Sequence, residues 1–132
     1  MRIGQVAQRA GTTTKTLRFY EQLGLLPEPD RTRAGYRDYD DGVVDRLRFV
    51  QAARAAGLTL AEIRDVIAVR EEVGPPCEHV TSLLDTHAVE LDRRIAELTA
   101  LREEVQRLRE RARTLDPGSC DADGVCHVIP TR

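Results

Sequence analysis

The residues of this 132-residue chain best suited to chemistry are three cysteines and three histidines, gathered in two places. Cys120, Cys126 and His127 close the chain in "PGSCDADGVCHVIPTR", while Cys77 and His79 stand far upstream in "PPCEHV". Thiolates and imidazoles in such numbers suit soft or borderline ions. Three sulfurs with one nitrogen form a tetrahedral site for Zn²⁺ or Cd²⁺, and three sulfurs alone suit Hg²⁺ or Pb²⁺. His79, two residues past Cys77, is one candidate nitrogen donor. His127 is the other, although neighbouring ligands usually point apart, so it also reads as a group that orients Cys126. His87 falls between Leu84 and Leu91 and reads as packing; Asp121 and Asp123 read as loop solvation. The cysteines also read as buried or incidental residues, and two other chemistries use the same atoms. Cys120 and Cys126 could form a disulfide as a thiol-oxidation switch. Cys120, Cys126 and His127 could also serve a small zinc hydrolase, but no motif places a catalytic carboxylate or base beside them.

A second functional set is cationic. Residues 1–37 hold seven Lys/Arg against three Asp/Glu, whereas residues 77–116 hold seven against nine. An anionic partner is therefore expected to meet the N-terminal part. Lys15 and Arg18 lie one turn apart, with Thr14 and Thr16 as short donors to phosphate oxygens. Arg31, Arg33, Tyr36 and Arg37 form a further basic set interleaved with an aromatic ring, suited to backbone or minor-groove contact.

The elements that must position these groups are mostly helical. "IGQVAQRA" puts Ile3, Val6, Ala7 and Ala10 on one face, and Gly11 stops it. Thr13 is placed to cap "TKTLRFYEQLG", with Leu17, Tyr20 and Leu23 facing inward. Two short helices around a glycine turn form a helix-turn-helix pattern. "LLPEPDRTRAGYRDYDDG" reads as a short two-stranded wing, because its prolines and glycines forbid a helix. Helical periodicity resumes with Val43, Leu47, Val50 and Ala53, stops at Gly57, and returns after Thr59 with Leu60, Ile63, Val66 and Ile67; "VGPP" ends it. From Cys77 to Asp116 there is neither glycine nor proline. Apolar residues recur from Leu84 through Leu91, Ile95, Leu98, Leu101, Val105 and Leu108 to Leu115 as a heptad seam with one three-residue slip near Leu98. The flanking positions are Glu, Asp and Arg. With aromatics at only 4% of the chain, one subunit has too little core to hide that seam, so it should pair with a second copy.

"IGQVAQRAGTTTKTLRFYEQLGLLPEPDRTRAGYRDYD" resembles the DNA-binding region of MerR-family regulators, with their T-L-R-[YF]-Y-E recognition helix, G-L-[LI] and G-Y-R-x-Y wing. "RLRFVQAARAAGLTLAEIRDVI" is similar to the family's following helix pair, and the last helix sits where the family keeps its antiparallel dimerisation coil. The resemblance covers roughly residues 1–115. It implies that Arg18 and Tyr20 contact the DNA backbone and adjacent bases, Lys15 reaches base edges, and Tyr36 and Arg37 anchor the wing. It also implies a homodimer on promoter DNA with an over-long spacer, which distorts that DNA so that RNA polymerase can engage. Within the family, the short tail leaves no room for a drug-binding domain. A pair of tail cysteines falls short of the four that an iron–sulfur sensor of the family needs. The resemblance then points to the metal-sensing branch, where a cysteine at the start of the dimer helix goes with divalent ions and matches Cys77, and a two-cysteine loop beyond its end matches Cys120 and Cys126.

Helix geometry leads to a compatible arrangement. A helix over 78–115 is about 57 Å long at ~1.5 Å per residue, so Cys77 and Cys120 of one chain cannot share an ion held by thiolate bonds of about 2.3 Å. Antiparallel pairing would bring Cys77 of one subunit beside Cys120 and Cys126 of the other. The expected fold is thus mainly α: a winged helix-turn-helix DNA-binding region (1–42), a connecting helix pair (43–76), a dimerisation helix in an antiparallel coiled coil (77–116) and a metal-binding loop and tail (117–132). The expected effector is a divalent ion, Zn²⁺ before Cd²⁺, Pb²⁺ or Hg²⁺. The partners are double-stranded promoter DNA, a second copy and RNA polymerase, with no membrane and a cytoplasmic location, since no apolar signal segment opens the chain. A constitutive DNA-binding protein stapled by structural zinc is the remaining alternative.

Overall fold

The computed structural model describes residues 1–119 and 124–131. It divides into two compact units, Met1–Asp85 and Thr86–Arg132. Among the described residues no helix is long and apolar enough to cross a membrane.

In the first unit, α1 (Ile3–Ala10) opens where the Arg2 amide donates to Gln5 Oε1 at 3.0 Å. It closes at Gly11, whose φ of 66° is the left-handed geometry that glycine adopts without a Cβ clash. Thr13 caps α2 (Thr14–Gln22), its hydroxyl oxygen accepting from the Thr16 amide at 3.2 Å. The wing follows: β1 (Asp30–Arg31) pairs antiparallel with β2 (Arg37–Asp38), in register Asp30 to Asp38 and Arg31 to Arg37. Its turn is tied by the Thr32 amide donating to the Tyr36 carbonyl at 2.8 Å and by Gly35 at φ 84°. Two longer helices complete the unit, α3 (Gly42–Ala55) and α4 (Leu60–Glu72). The start of α4 is a reciprocal cap. Thr59 Oγ1 accepts from the Glu62 amide at 3.1 Å, and Glu62 Oε1 accepts from the Thr59 amide at 2.9 Å.

Two buried clusters hold these elements together. Val6, Ala10, Leu17, Leu26, Tyr39, Val43 and Leu47 belong to one, joining α1, α2, the wing and the start of α3. Leu25, Val50, Ala53, Leu58, Ile63 and Ile67 form the other, joining the end of α3 to α4. Helix α3 therefore carries residues of both along one inward stripe, and adjacent Leu25 and Leu26 go one to each. Tyr20 packs against both clusters, and Leu83, from the start of the next helix, packs against the second.

That helix, α5 (Cys77–Thr114), runs for 38 residues. It stops two residues short of the expected Asp116. Pro117 offers no N–H and disfavours helical geometry in the residue before it. Asp116 instead organises a 3₁₀ turn, its Oδ1 accepting from the Gly118 amide at 2.9 Å and its carbonyl from the Ser119 amide at 3.0 Å. No residue of α5 is buried, and Ile95, Leu98 and Leu101 are 61%, 64% and 59% exposed. Its other faces carry ion pairs one turn apart: Glu90 with Arg93 and Arg94, Arg93 with Glu97, Glu104 with Arg107, Glu110 with Arg113. Hydrogen bonds from Arg93 hold the Glu90 carboxyl below the usual carboxylate range.

Candidate functional site

The cationic side chains occupy the outer surface of α2 and the wing. Lys15 and Arg18 are exposed, whereas Leu17 between them is buried, so the helix fold sorts them to the solvent face. Thr14 is half-buried, and the Thr16 hydroxyl lies 3.0 Å from that of Thr13, which draws it into the cap. Tyr20 is half-buried between the two clusters, its ring tilted against Phe19 with centroids 6.2 Å apart. Phe19 itself is exposed beside Arg18, a residue that apolar periodicity did not single out.

On the wing, Arg33 and Tyr36 are exposed. Arg31 turns back on its own loop, Nη1 donating to the Gly35 carbonyl at 3.0 Å. The Arg2 guanidinium stands 4.2 Å from the Tyr36 ring centroid, a cation–π contact that brings one more positive charge to the wing. Arg37, expected to anchor the wing, is turned toward α2. Its Nε donates to Glu21 Oε2 at 3.3 Å, and the two side chains are 28% and 12% exposed. The Tyr39 hydroxyl donates to the other Glu21 oxygen, Oε1. Burial, the Glu21 hydrogen bond and the Glu21 charge together raise the Tyr39 pKa well above its ordinary value, so the phenol remains a donor. Sequence reasoning passed over Arg2 and Glu21. The signal for Glu21 was present: it lies four residues after Leu17, a carboxylate on the inward face.

The thiols belong to separate units. Cys77 is the first residue of α5, exposed and with a free thiol. One half-turn on, His79 has its Nε2 buried without a hydrogen-bond partner, the only buried side-chain nitrogen or oxygen so placed among the described residues. An unpaired imidazole nitrogen and a free thiol, two residues apart at the start of α5, are each donors of the kind that bind a soft or borderline ion. In the second unit Cys126 is also exposed and free. Arg111 Nε donates to the His127 carbonyl at 2.9 Å, which draws the tail back onto the last turns of α5. There Arg111, Cys126, His127, Ile129 and Pro130 line a shallow concave surface. Cys120, Asp121 and Asp123 lie outside the described residues. His87 is half-buried on α5. Among the described residues no three His, Cys, Asp or Glu side chains gather into one set.

Residues 1–69 match the pattern of the MerR HTH family regulatory proteins, and residues 44–108 match the MerR DNA-binding pattern. The chain belongs to the MerR family. The HTH-type transcriptional regulator HmrR of Rhizobium leguminosarum bv. viciae is 37% identical over 120 residues, 91% of this chain and 92% of that one. The mercuric resistance operon regulatory protein of Bacillus cereus is 36% identical over 110 residues, 83% of each chain. Among solved structures, that of the transcription regulator PbrR691 from Ralstonia metallidurans CH34 in complex with lead(II) superimposes with a TM-score of 0.79. Its sequence identity is 37%, with 91% of this chain and 94% of that chain covered. The MerR HTH match spans α1, α2, the wing and α3, and the relatives named are transcriptional regulators. The mainly helical fold with a winged helix-turn-helix and a long last helix is therefore as the sequence indicated.

Proposed function

We propose that this MerR-family chain is a metal-responsive transcriptional regulator that binds promoter DNA as a homodimer and activates transcription once a divalent heavy-metal ion is held at the subunit interface. The observation that carries the reading is the likeness, over nine-tenths of the chain, to a regulator solved with lead(II), joined to free thiols at the start of α5 and in the tail beyond its end. A helix of 38 residues rises about 57 Å at ~1.5 Å per residue. An ion completed by both ends of α5 must draw on two antiparallel copies, and the uncovered apolar stripe of α5 is the surface on which they would pair.

In this reading Cys77 of one subunit acts with Cys120 and Cys126 of the partner subunit, and His79 or His127 supplies a nitrogen. Zn²⁺ is the favoured ion, with Cd²⁺, Pb²⁺ and Hg²⁺ accommodated by the same thiolates. Ligation would tether the tail of one subunit to the α4–α5 junction of the other and so reorient the heads. A coupling of about 1–3 kcal/mol suffices to bias two DNA-bound states. Lys15, Arg18, Thr14, Tyr20, Arg33 and Tyr36 meet the DNA, with Arg37 holding the wing. Gripping both half-sites lets the dimer distort the promoter for RNA polymerase in the cytoplasm.

Titration of the reduced protein with Zn²⁺, Cd²⁺, Pb²⁺, Hg²⁺ and Cu⁺, repeated on Cys77→Ser, tests this. Tight divalent binding at two sites per dimer, lost in the variant, is the expected outcome. Divalent binding and induction unchanged in Cys77→Ser would overturn the three-thiolate site.

A further inference from the structure

We infer that Glu21, a carboxylate inside the DNA-binding head, is a positioning residue that latches the wing to the recognition helix through Arg37 and Tyr39; the inference rests on the DNA-binding reading above. The wing cannot orient itself. Its strands are two residues long each, and a hairpin of that size is marginal without outside support. Support comes at the return strand. Arg37, in β2, donates to Glu21 Oε2 at 3.3 Å, and Tyr39, immediately after β2, donates its hydroxyl to Glu21 Oε1. Both carboxylate oxygens are thereby taken, and both donors come from the wing while the acceptor comes from α2. The Tyr39 ring is 4% exposed within the cluster shared by α1, α2 and α3, so the latch is seated in the core. A second tie holds the outer end, where Arg2 stacks over the ring of Tyr36.

The arrangement also changes the part played by Arg37. A guanidinium that is 28% exposed and bonded to a carboxylate has its charge already matched. It aims Arg33 and Tyr36, which are exposed. Glu21 is 12% exposed and carries a charge of the same sign as DNA. Electrostatics and positioning therefore predict opposite signs for its removal. Deleting a negative charge near a polyanion should tighten binding. Deleting a latch should weaken it.

The test uses the full-length dimer and a duplex that it recovers from a random-sequence library, with affinity measured by anisotropy across a salt series. Glu21→Ala is expected to weaken binding about tenfold, as loss of the wing contacts would, and to flatten the salt dependence as Arg33→Ala does. Arg33→Ala is expected to cost affinity in the wild-type background and almost nothing in Glu21→Ala, because the wing is already displaced. Tyr39→Phe, which keeps the ring in the core and removes only the hydroxyl, should move in the same direction by a smaller factor, with helix content unchanged and a thermal midpoint lowered by the loss of one hydrogen bond. Glu21→Ala binding as tightly as wild type or more tightly, or Arg33→Ala costing the same in both backgrounds, overturns the latch. Arg18→Ala separates the two levels. If it leaves binding unaltered the DNA-contact reading fails, whereas its loss of affinity beside an indifferent Glu21→Ala sinks the latch alone.

Discussion

Replacing Leu98 by alanine removes the middle of the α5 seam, at a position where the single subunit gives it almost no neighbours. A Leu→Ala change at a fully buried site costs about 2–5 kcal/mol. Leu98 is 64% exposed in one chain, so that fraction is available for a partner to cover. Scaling gives about 1.3–3.2 kcal/mol per subunit, and twofold symmetry doubles it to about 3–6 kcal/mol per dimer. At ~1.4 kcal/mol per decade the dimer dissociation constant should rise at least about a hundredfold. Sedimentation equilibrium over a concentration series reads this directly. Circular dichroism of the same samples checks that α5 and the helices of the Met1–Asp85 unit persist. Because Leu98 contributes to neither buried cluster, unfolding of that unit should be unaffected. A change in dimer dissociation of less than about threefold, with the helices intact, would show that the seam is not the association surface and would remove the geometric basis for a shared metal site.

Two further outcomes follow from the same reasoning. Thr59→Ala removes half of the reciprocal cap on α4 and should cost about 0.5–2 kcal/mol, read as a lower thermal midpoint of the head with little change in metal affinity. Chelation of bound metal should leave helix content and the head's unfolding midpoint unchanged, since no cysteine contributes to either buried cluster, whereas unfolding on chelation would mark the ion as a structural staple.

The head was legible in the sequence because its determinants are local. Gly11 at positive φ, the Thr13 cap and the spacing of Val6, Ala7, Ala10 and Leu17 each act within one or two turns. The wing was legible for a similar reason: prolines and glycines exclude a helix between α2 and α3, and a short hairpin is what remains. The C-terminal end of α5 was placed two residues late because Leu115 keeps the apolar period, while Pro117 and the Asp116 turn, acting from outside the pattern, end the helix first. Arg37 was read from its place in the basic wing and from the G-Y-R-x-Y motif, and neither names the partner that its Nε meets sixteen residues earlier on another element.

The amino-acid order by itself determined the helices, their caps, the wing, the uncovered seam of α5 and the separation of Cys77 from the tail thiols. All of these depend on spacing along the chain, which periodicity and turn chemistry report directly. Only the tertiary structure decided which charges are spent and which are free. Arg37, Glu21 and Tyr39 meet across the head, Arg2 stacks on Tyr36, Arg111 holds the His127 carbonyl, and His79 Nε2 is left without a partner. The physical reason is that hydrogen bonds and ion pairs are short-ranged and directional, so they are set by how the two apolar clusters bring distant elements together and leave no trace in local sequence.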